Sequence, residues 1–478
     1  MVATENNDDA SDARKQRLDL SEEGLNRTIW ALAWPAIFGY VMHSMVAISD
    51  TVIIGWLRNE DYLATVNLSG AVMWLLFAPF MALSVAASSL VSRSWGERDF
   101  RGARLFAGQS MSIALLTALI ATAACWPFTG DVIRMLGGDD QVVAHGRQFL
   151  RIILLSGVFW FPMMIAGGII RATGDTRTPM VLVIIMNAVN IPLSIALAFG
   201  WGPFPRMELF GVGWGTVVSR TLGGGLALAV LIMKKDGVAL RVSDFFIASR
   251  RALRRLYVLA WPAVIERFTG SLANAIFISI VAGLGATALA AHQIAMSLET
   301  VAFMPVLGMG MAITTVVGQA IGAGRADIAE LAIRRGMSWA MMFMLCLGAI
   351  FLVFAPWMVQ LYGAEADVAE LAVIVLRISA FELPFLAICI IFFCALRGAG
   401  DTRSPLYAGL VGNFVFRLGM VHFFTFPCKG WGLGWGLAGA WCVMILDWGS
   451  RSAILWWVFK RGRWKRIHEQ EKARDAGD

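Results

Sequence analysis

Charged side chains inside apolar runs are the residues of this chain that could do chemistry. Asp50 stands in the first apolar segment, Glu266 and Arg267 in the seventh, Glu299 in the eighth and Glu382 in the tenth. Arg417 follows in the eleventh, and Asp447 with Arg451 in the twelfth. Charge in hydrocarbon is costly, so an ionisable residue there is a candidate functional group by default. Asp50 is the sharpest of them. No basic residue lies three or four positions away on its own segment, and His43 is two turns back. A lone carboxyl in an apolar wall can exchange a proton, or hold Na+ when ionised. Asp447 and Arg451, four apart, are spaced for an ion pair along one helix face. Arg417 reads as a neutralising partner for one of the acids. Glu382 precedes Pro384 by two residues, where a broken helix would bare carbonyl oxygens beside the carboxylate. Glu299 reads as a substrate or ion contact.

These residues need elements to carry them across a bilayer. The chain of 478 residues is 58% hydrophobic and 15% charged, far less polar than a soluble protein of that length. Apolar stretches long enough to span about 30 Å of hydrocarbon recur along it. Twelve membrane helices are expected, near 30–57, 64–92, 104–126, 148–170, 179–200, 209–233, 256–282, 286–318, 329–356, 370–396, 405–426 and 433–459. The 48 glycines suit close helix packing in lipid. Pro35, Pro162, Pro192, Pro262, Pro305 and Pro384 fall inside these stretches, as kinks or bending points. The net charge of +7 is scattered through short loops, a pattern of topology that gives no nucleic-acid site.

The sequence also repeats. Arg171-Ala-Thr-Gly-Asp-Thr-Arg-Thr-Pro-Met180 returns as Arg397-Gly-Ala-Gly-Asp-Thr-Arg-Ser-Pro-Leu406. Leu32-Ala-Trp-Pro35 returns as Leu259-Ala-Trp-Pro262, and Asn187 as Asn413. Each half holds six segments, so both halves enter the membrane from the same side as a parallel repeat, with a central cleft expected between them. Asn187 and Asn413 become candidates for that cleft. The domain plan is a tail at 1–27, a first bundle at 28–233, a basic linker at 234–255, a second bundle at 256–460 and a tail at 461–478.

Basic residues set the orientation. One set of loops carries Arg93, Arg98, Arg101 and Arg104, the two decapeptides, Lys234, Lys235, Arg241, Arg250, Arg251, Arg254 and Arg255, and then Arg325, Arg334 and Arg335. The opposite set has Arg58, Arg134, Arg147, Arg206 and Lys429. The first set is expected in the cytoplasm, with both termini beside it. The polar, acid-rich N-terminus lacks the basic start and apolar core of a signal peptide. Cys125, Cys346, Cys389, Cys394, Cys428 and Cys442 show neither a zinc nor a redox spacing. No Walker loop, HExxH or GxSxG occurs, so any pumping must draw on an ion gradient, and no enzyme is indicated. The Met and Phe content, 24 and 30 residues, suits an adaptable apolar pocket.

The chain resembles the multidrug and toxic compound extrusion (MATE) family over nearly all of 28–460. The carriers are Pro35 through Ser49-Asp-Thr-Val-Ile-Ile-Gly55, the two decapeptides, Ala290-Ala-His-Gln-Ile294 and Val317-Gly-Gln-Ala-Ile-Gly322. The resemblance implies an all-α membrane fold of two six-helix lobes. It also implies a monomer in the bacterial inner membrane that exports amphipathic or cationic organic compounds in exchange for H+ or Na+, without another cofactor. Asp50 matches the first-helix acid associated with coupling, and Asn190 resembles the fifth-helix Asn of the DinF-like branch. That branch has an acid where this chain has Ser194. The NorM-like branch has acids where this chain has Gly270 and Leu386, with Glu266 and Glu382 one turn earlier. The ion-coupling candidates are therefore Asp50, Asn190, Glu266 and Glu382, with Asp50 the possible Na+ ligand. A lipid-linked oligosaccharide flippase is the alternative from the same superfamily, and would want a more cationic cleft. A non-transporting membrane enzyme or receptor is the alternative from another class.

Overall fold

The computed structural model describes residues 18–234, 237–247, 249–427 and 432–470. Lys235, Cys428 and Lys429 lie outside the described residues, as do the tail segments 1–17 and 471–478. Helices account for the secondary structure among the described residues, and no strand occurs there. The first half contains α1 (Leu25–Trp56), α2 (Glu60–Glu97), α3 (Phe100–Cys125), a short α4 (Thr129–Met135), α5 (Asp140–Ala172), α6 (Arg177–Phe199) and α7 (Glu208–Met233). The second contains α8 (Arg250–Ala282), α9 (Ala286–Gly322), α10 (Ala326–Gln360), α11 (Ala366–Ala399), α12 (Arg403–Thr425) and α13 (Gly436–Arg461). The chain forms two compact units: one holds Trp34–Ala260, the other Asp19–Ala33 and everything from Trp261 on.

Eleven described helices are long and apolar enough to cross a membrane. The remaining long one, α13, carries Asp447 and Arg451. This is the all-helical, two-bundle membrane architecture that the hydropathy predicts. Three details differ from the sequence reading. Helix α4 escaped notice because seven residues give too short a periodic signal. Helix α5 begins at Asp140 rather than 148, because Asp139 caps it by accepting the Val142 N–H at 2.8 Å. Helix α11 runs unbroken through Pro384, so that proline opens no gap beside Glu382. Pro35, Pro162, Pro192, Pro262 and Pro305 likewise lie within continuous helices.

The decapeptides are a helix-stop, helix-start device, built twice. Gly174 and Gly400 adopt φ of 101° and 94°, a left-handed conformation that glycine takes without strain. Each donates its N–H to the carbonyl of the preceding Arg, Arg171 or Arg397, closing the helix. The following Asp opens the next one. Asp175 accepts from the Thr178 N–H at 3.0 Å, and Asp401 from the Ser404 N–H at 2.9 Å. Pro179 and Pro405 occupy the first turn, where a missing N–H costs nothing.

Within each unit, small residues let helices approach. A Cβ on Gly168 of α5 would meet Ser84 Oγ of α2 at 2.6 Å, and one on Gly398 of α11 would meet the Thr314 carbonyl of α9 at 2.5 Å. In the first unit, Phe77, Phe80, Trp160 and Phe161 stack in the seam between α2 and α5.

Candidate functional site

The polar interior of the first unit gathers on α1, α5, α6 and α7. Asp50 Oδ2 accepts from the Thr216 hydroxyl at 3.1 Å. Asn190 is fully buried and donates from Nδ2 to Thr216 and Ser219, both at 3.3 Å. Thr216 thus links the two predicted residues, and Asp50 Oδ1 and Asn190 Oδ1 remain enclosed without a donor. Asn187 faces α1, donating to the Met42 carbonyl at 2.7 Å, and so reads as a helix-to-helix tie. Ser194 is pressed against Gly215, whose added Cβ would meet its oxygen at 2.2 Å. A carboxylate would not fit at that close approach, so the acid of the DinF-like branch has neither a residue nor room here.

One charged group in this interior escaped the sequence reading. Arg220 lies in α7 one turn beyond Thr216, on the same face, with Asp50 as its nearest opposing charge. Its guanidinium donates to Ser156 Oγ at 2.8 Å and lies 4.3 Å above the Trp160 ring. His43 stacks near Trp160, with ring centroids 6.0 Å apart. The signal was present, since Arg220 interrupts the apolar run 209–233 as plainly as Asp50 interrupts the first.

The second unit holds a larger cluster on α9, α11, α12 and α13. Glu382 is fully buried and Glu299 is 7% exposed. Their carboxyl groups meet across α9 and α11. Both Glu382 oxygens and Glu299 Oε2 lack a donor. Beside them, the fully buried Asp447 receives two arginines. Arg451 donates to its oxygens at 2.5 and 2.6 Å, and Arg417 Nε lies 2.7 Å away. Arg451 also donates to Asn413 Oδ1 at 2.7 Å, so the predicted cleft residue Asn413 serves this network. Asn413 and Arg417 sit on a wide π-helical turn, Val411–Leu418, within α12. His292 packs between Phe277 and Trp441 at the edge of the cluster.

Glu266 stands apart from this group. It accepts two hydrogen bonds from Arg397 of the second decapeptide, at 2.6 and 2.8 Å, in a neutral pair. The first decapeptide has a different partner: Asp175 takes Lys234 from the end of α7. Burial alone would raise the Asp175 carboxyl, but hydrogen bonds from Lys234 and Thr178 outweigh it and hold it below the usual carboxylate range. Among the described residues, no three His, Cys, Asp or Glu side chains converge as a metal site.

Charge buried within a duplicated helical bundle fits a multi-pass membrane transporter. The family model MatE matches residues 35–196 and 262–421, one stretch in each half and together more than half the chain. The chain belongs to this family of MATE transporters. It is 28% identical to a probable multidrug resistance protein NorM of Thermotoga maritima over 463 residues, 95% of this chain and 96% of that one. It is 23% identical to a FAD transporter of Shewanella oneidensis, covering 83% and 87% of the two chains. Among solved structures, MATE in the bent conformation superposes with a TM-score of 0.84 at 21% identity, over 94% of this chain and 97% of that one. A MOP superfamily transporter from Pyrococcus furiosus gives 0.83 at 22%, over 93% and 97%. The chain is thus a membrane transporter of this family with the twelve-helix, two-lobe fold.

Proposed function

We propose that the protein is a secondary antiporter of the bacterial inner membrane, exporting amphipathic or cationic organic compounds in exchange for H+ or Na+. The Glu299–Glu382 pair takes up the coupling cation. One observation carries this reading. In the second unit three carboxylates, Glu299, Glu382 and Asp447, stand against two guanidiniums, Arg417 and Arg451, and Asp447 claims both. Two carboxyl groups in contact within a dry interior repel unless a proton or metal cation lies between them. Uptake of one H+ or Na+ balances the cluster, and its release leaves the cluster strained. An ion that binds one conformation better than another shifts the population between them, which is what antiport requires.

Asp50, with Asn190 and Thr216, is the second acid of the mechanism, balanced within its own unit by Arg220. Glu266 acts as the partner of a loop arginine rather than as an ion ligand. The protein works as a monomer with both termini in the cytoplasm, and needs no cofactor besides the coupling ion. Relatives named for multidrug resistance support the cargo class.

The test is reconstitution in vesicles with separately imposed H+ and Na+ gradients, following ethidium. Wild type accumulates ethidium against its gradient, driven by one of the two ions, and Glu382→Gln loses roughly tenfold or more of that coupling. Undiminished coupling in both Glu382→Gln and Glu299→Gln would sink the assignment of the ion to this pair.

A further inference from the structure

The chain between α7 and α8 is strapped to the flank of α3, within the first unit. It makes a 3₁₀ turn at Val242–Phe245. Gly108 of α3 lets the backbones approach, since a Cβ there would meet the Asp244 carbonyl oxygen at 2.6 Å. Two polar side chains of the apolar α3 take up carbonyls of the strap. Ser112 donates to Phe245 at 2.6 Å, and Gln109 Nε2 to Ile247 at 2.9 Å and Ser249 at 3.3 Å. Asp244 is buried and accepts from the Arg241 N–H at 2.8 Å and from Arg104 at 3.3 Å. Non-helical backbone beside hydrocarbon needs its polar groups met within the protein in this way. The depth follows from α3, which is about 39 Å long, roughly 9 Å more than the hydrocarbon it crosses. Gln109 and Ser112 stand about 14 and 18 Å from its first residue. The strap therefore lies where headgroups give way to acyl chains.

The side chains that the strap leaves uncovered are apolar: Phe246 is 81% exposed, Val242 66% and Ile247 47%. Arginines frame them. Residues 241–255 hold Arg241, Arg250, Arg251, Arg254 and Arg255 against one acid, Asp244, which Arg104 and the turn already engage. Arg241 and Arg250 are exposed on either side of the apolar group. We propose that this strap is an interfacial anchor for anionic phospholipid of the adjoining leaflet. Phe246, Val242 and Ile247 enter the acyl region, and Arg241 and Arg250 hold headgroup phosphates. Apolar residues beside exposed basic ones bind a membrane surface by both terms together, and a guanidinium fork matches phosphate oxygens. The strap is also the covalent link between the two repeats, so the lipid grips the chain where they join.

The experiment measures binding of pyrene-labelled phosphatidylglycerol and pyrene-labelled phosphatidylcholine to the full chain in dodecyl maltoside. Wild type binds the anionic lipid at least about tenfold more tightly, as two arginines beside a charged headgroup provide. Arg241→Gln with Arg250→Gln lowers that ratio roughly tenfold, and Arg241→Lys with Arg250→Lys keeps most of it. Arg403→Gln with Arg463→Gln, which removes two exposed arginines of the second unit, leaves the ratio unchanged. Phe246→Ser weakens both lipids alike. Equal wild-type affinities for the two lipids would overturn the proposal, as would an unaltered ratio in Arg241→Gln with Arg250→Gln. An equal fall in the second-unit variant would reduce the effect to diffuse charge attraction and overturn it too. A chain that dimerises in detergent and becomes monomeric on Phe246→Ser would give this face to a second copy instead. No gradient enters the measurement, so its outcome is independent of the antiport reading.

Discussion

The interior of the first unit sets one acid, Asp50, near one base, Arg220, and keeps them from touching: Thr216 holds the acid, while Ser156 and Trp160 hold the base. The interior of the second unit does the reverse. It binds its bases tightly to one acid, Asp447, and leaves two more acids facing each other. Two copies of one ancestral bundle have thus diverged in how they place counter-charges: the first keeps its acid and base apart, and the second pairs both bases with one acid and leaves two acids without a base of their own. On the function proposed above, two acids without a base of their own put coupling-ion chemistry in the second half.

Several substitutions break or sharpen that contrast. The largest effect is expected from Asp447→Asn, which leaves Arg417 and Arg451 buried against a neutral partner. Removing one member of a buried ion pair costs about 3–5 kcal/mol, so folded yield and thermal midpoint in detergent should collapse. An unchanged midpoint would show that the two arginines have other partners. Glu299→Gln with Glu382→Gln comes next: the protein stays folded, and vesicle assays lose the ion gradient's influence on export. Asp50→Asn should have a smaller effect. It removes the second acid and leaves the Glu299–Glu382 pair intact, so ion-driven export in vesicles falls less than in the double variant. A loss as complete as that of the double variant would instead make Asp50 the main ion site.

The smallest effect belongs to the loops. Lys234→Met removes the cation beside Asp175 and should cost about 1 kcal/mol or less, read as a small drop in thermal midpoint. Asp175 has a lowered pKa, so its contribution is present above the unfolded value of 3.8 and is lost only as pH falls through the lower folded value. The Lys234→Met difference should therefore be constant near neutral pH and shrink only in acid. A difference that grows on acidification would contradict the pairing.

The bundle was legible because hydropathy is a local property, and runs such as 329–356 announce themselves without any knowledge of their neighbours. The Asp447–Arg451 pair was legible for the same reason, since four residues of helix bring the two together. The loop decapeptide was readable as a repeat, though its mechanics lie in a positive φ at Gly174 and Gly400 that only coordinates report. The meeting of Glu299 with Glu382, and of Glu266 with Arg397, was not readable, because each joins helices distant in sequence through the choice of packing partner. Arg220 is a different case: its position inside an apolar run was visible, but its importance depends on Trp160 and Ser156, which arrive from α5.

The π-helical turn at Val411–Leu418 has a consequence for how the halves diverged. Such a winding accommodates one surplus residue in a helix. Excising that residue would restore ordinary pitch and re-aim the side chains of the turn itself, while the helix on either side keeps its register. Arg417 would then swing off Asp447, and Arg451 would have to neutralise that carboxylate alone. That one-residue insertion works as a register shim, and its loss would scramble the counter-charges without altering a single ionisable side chain.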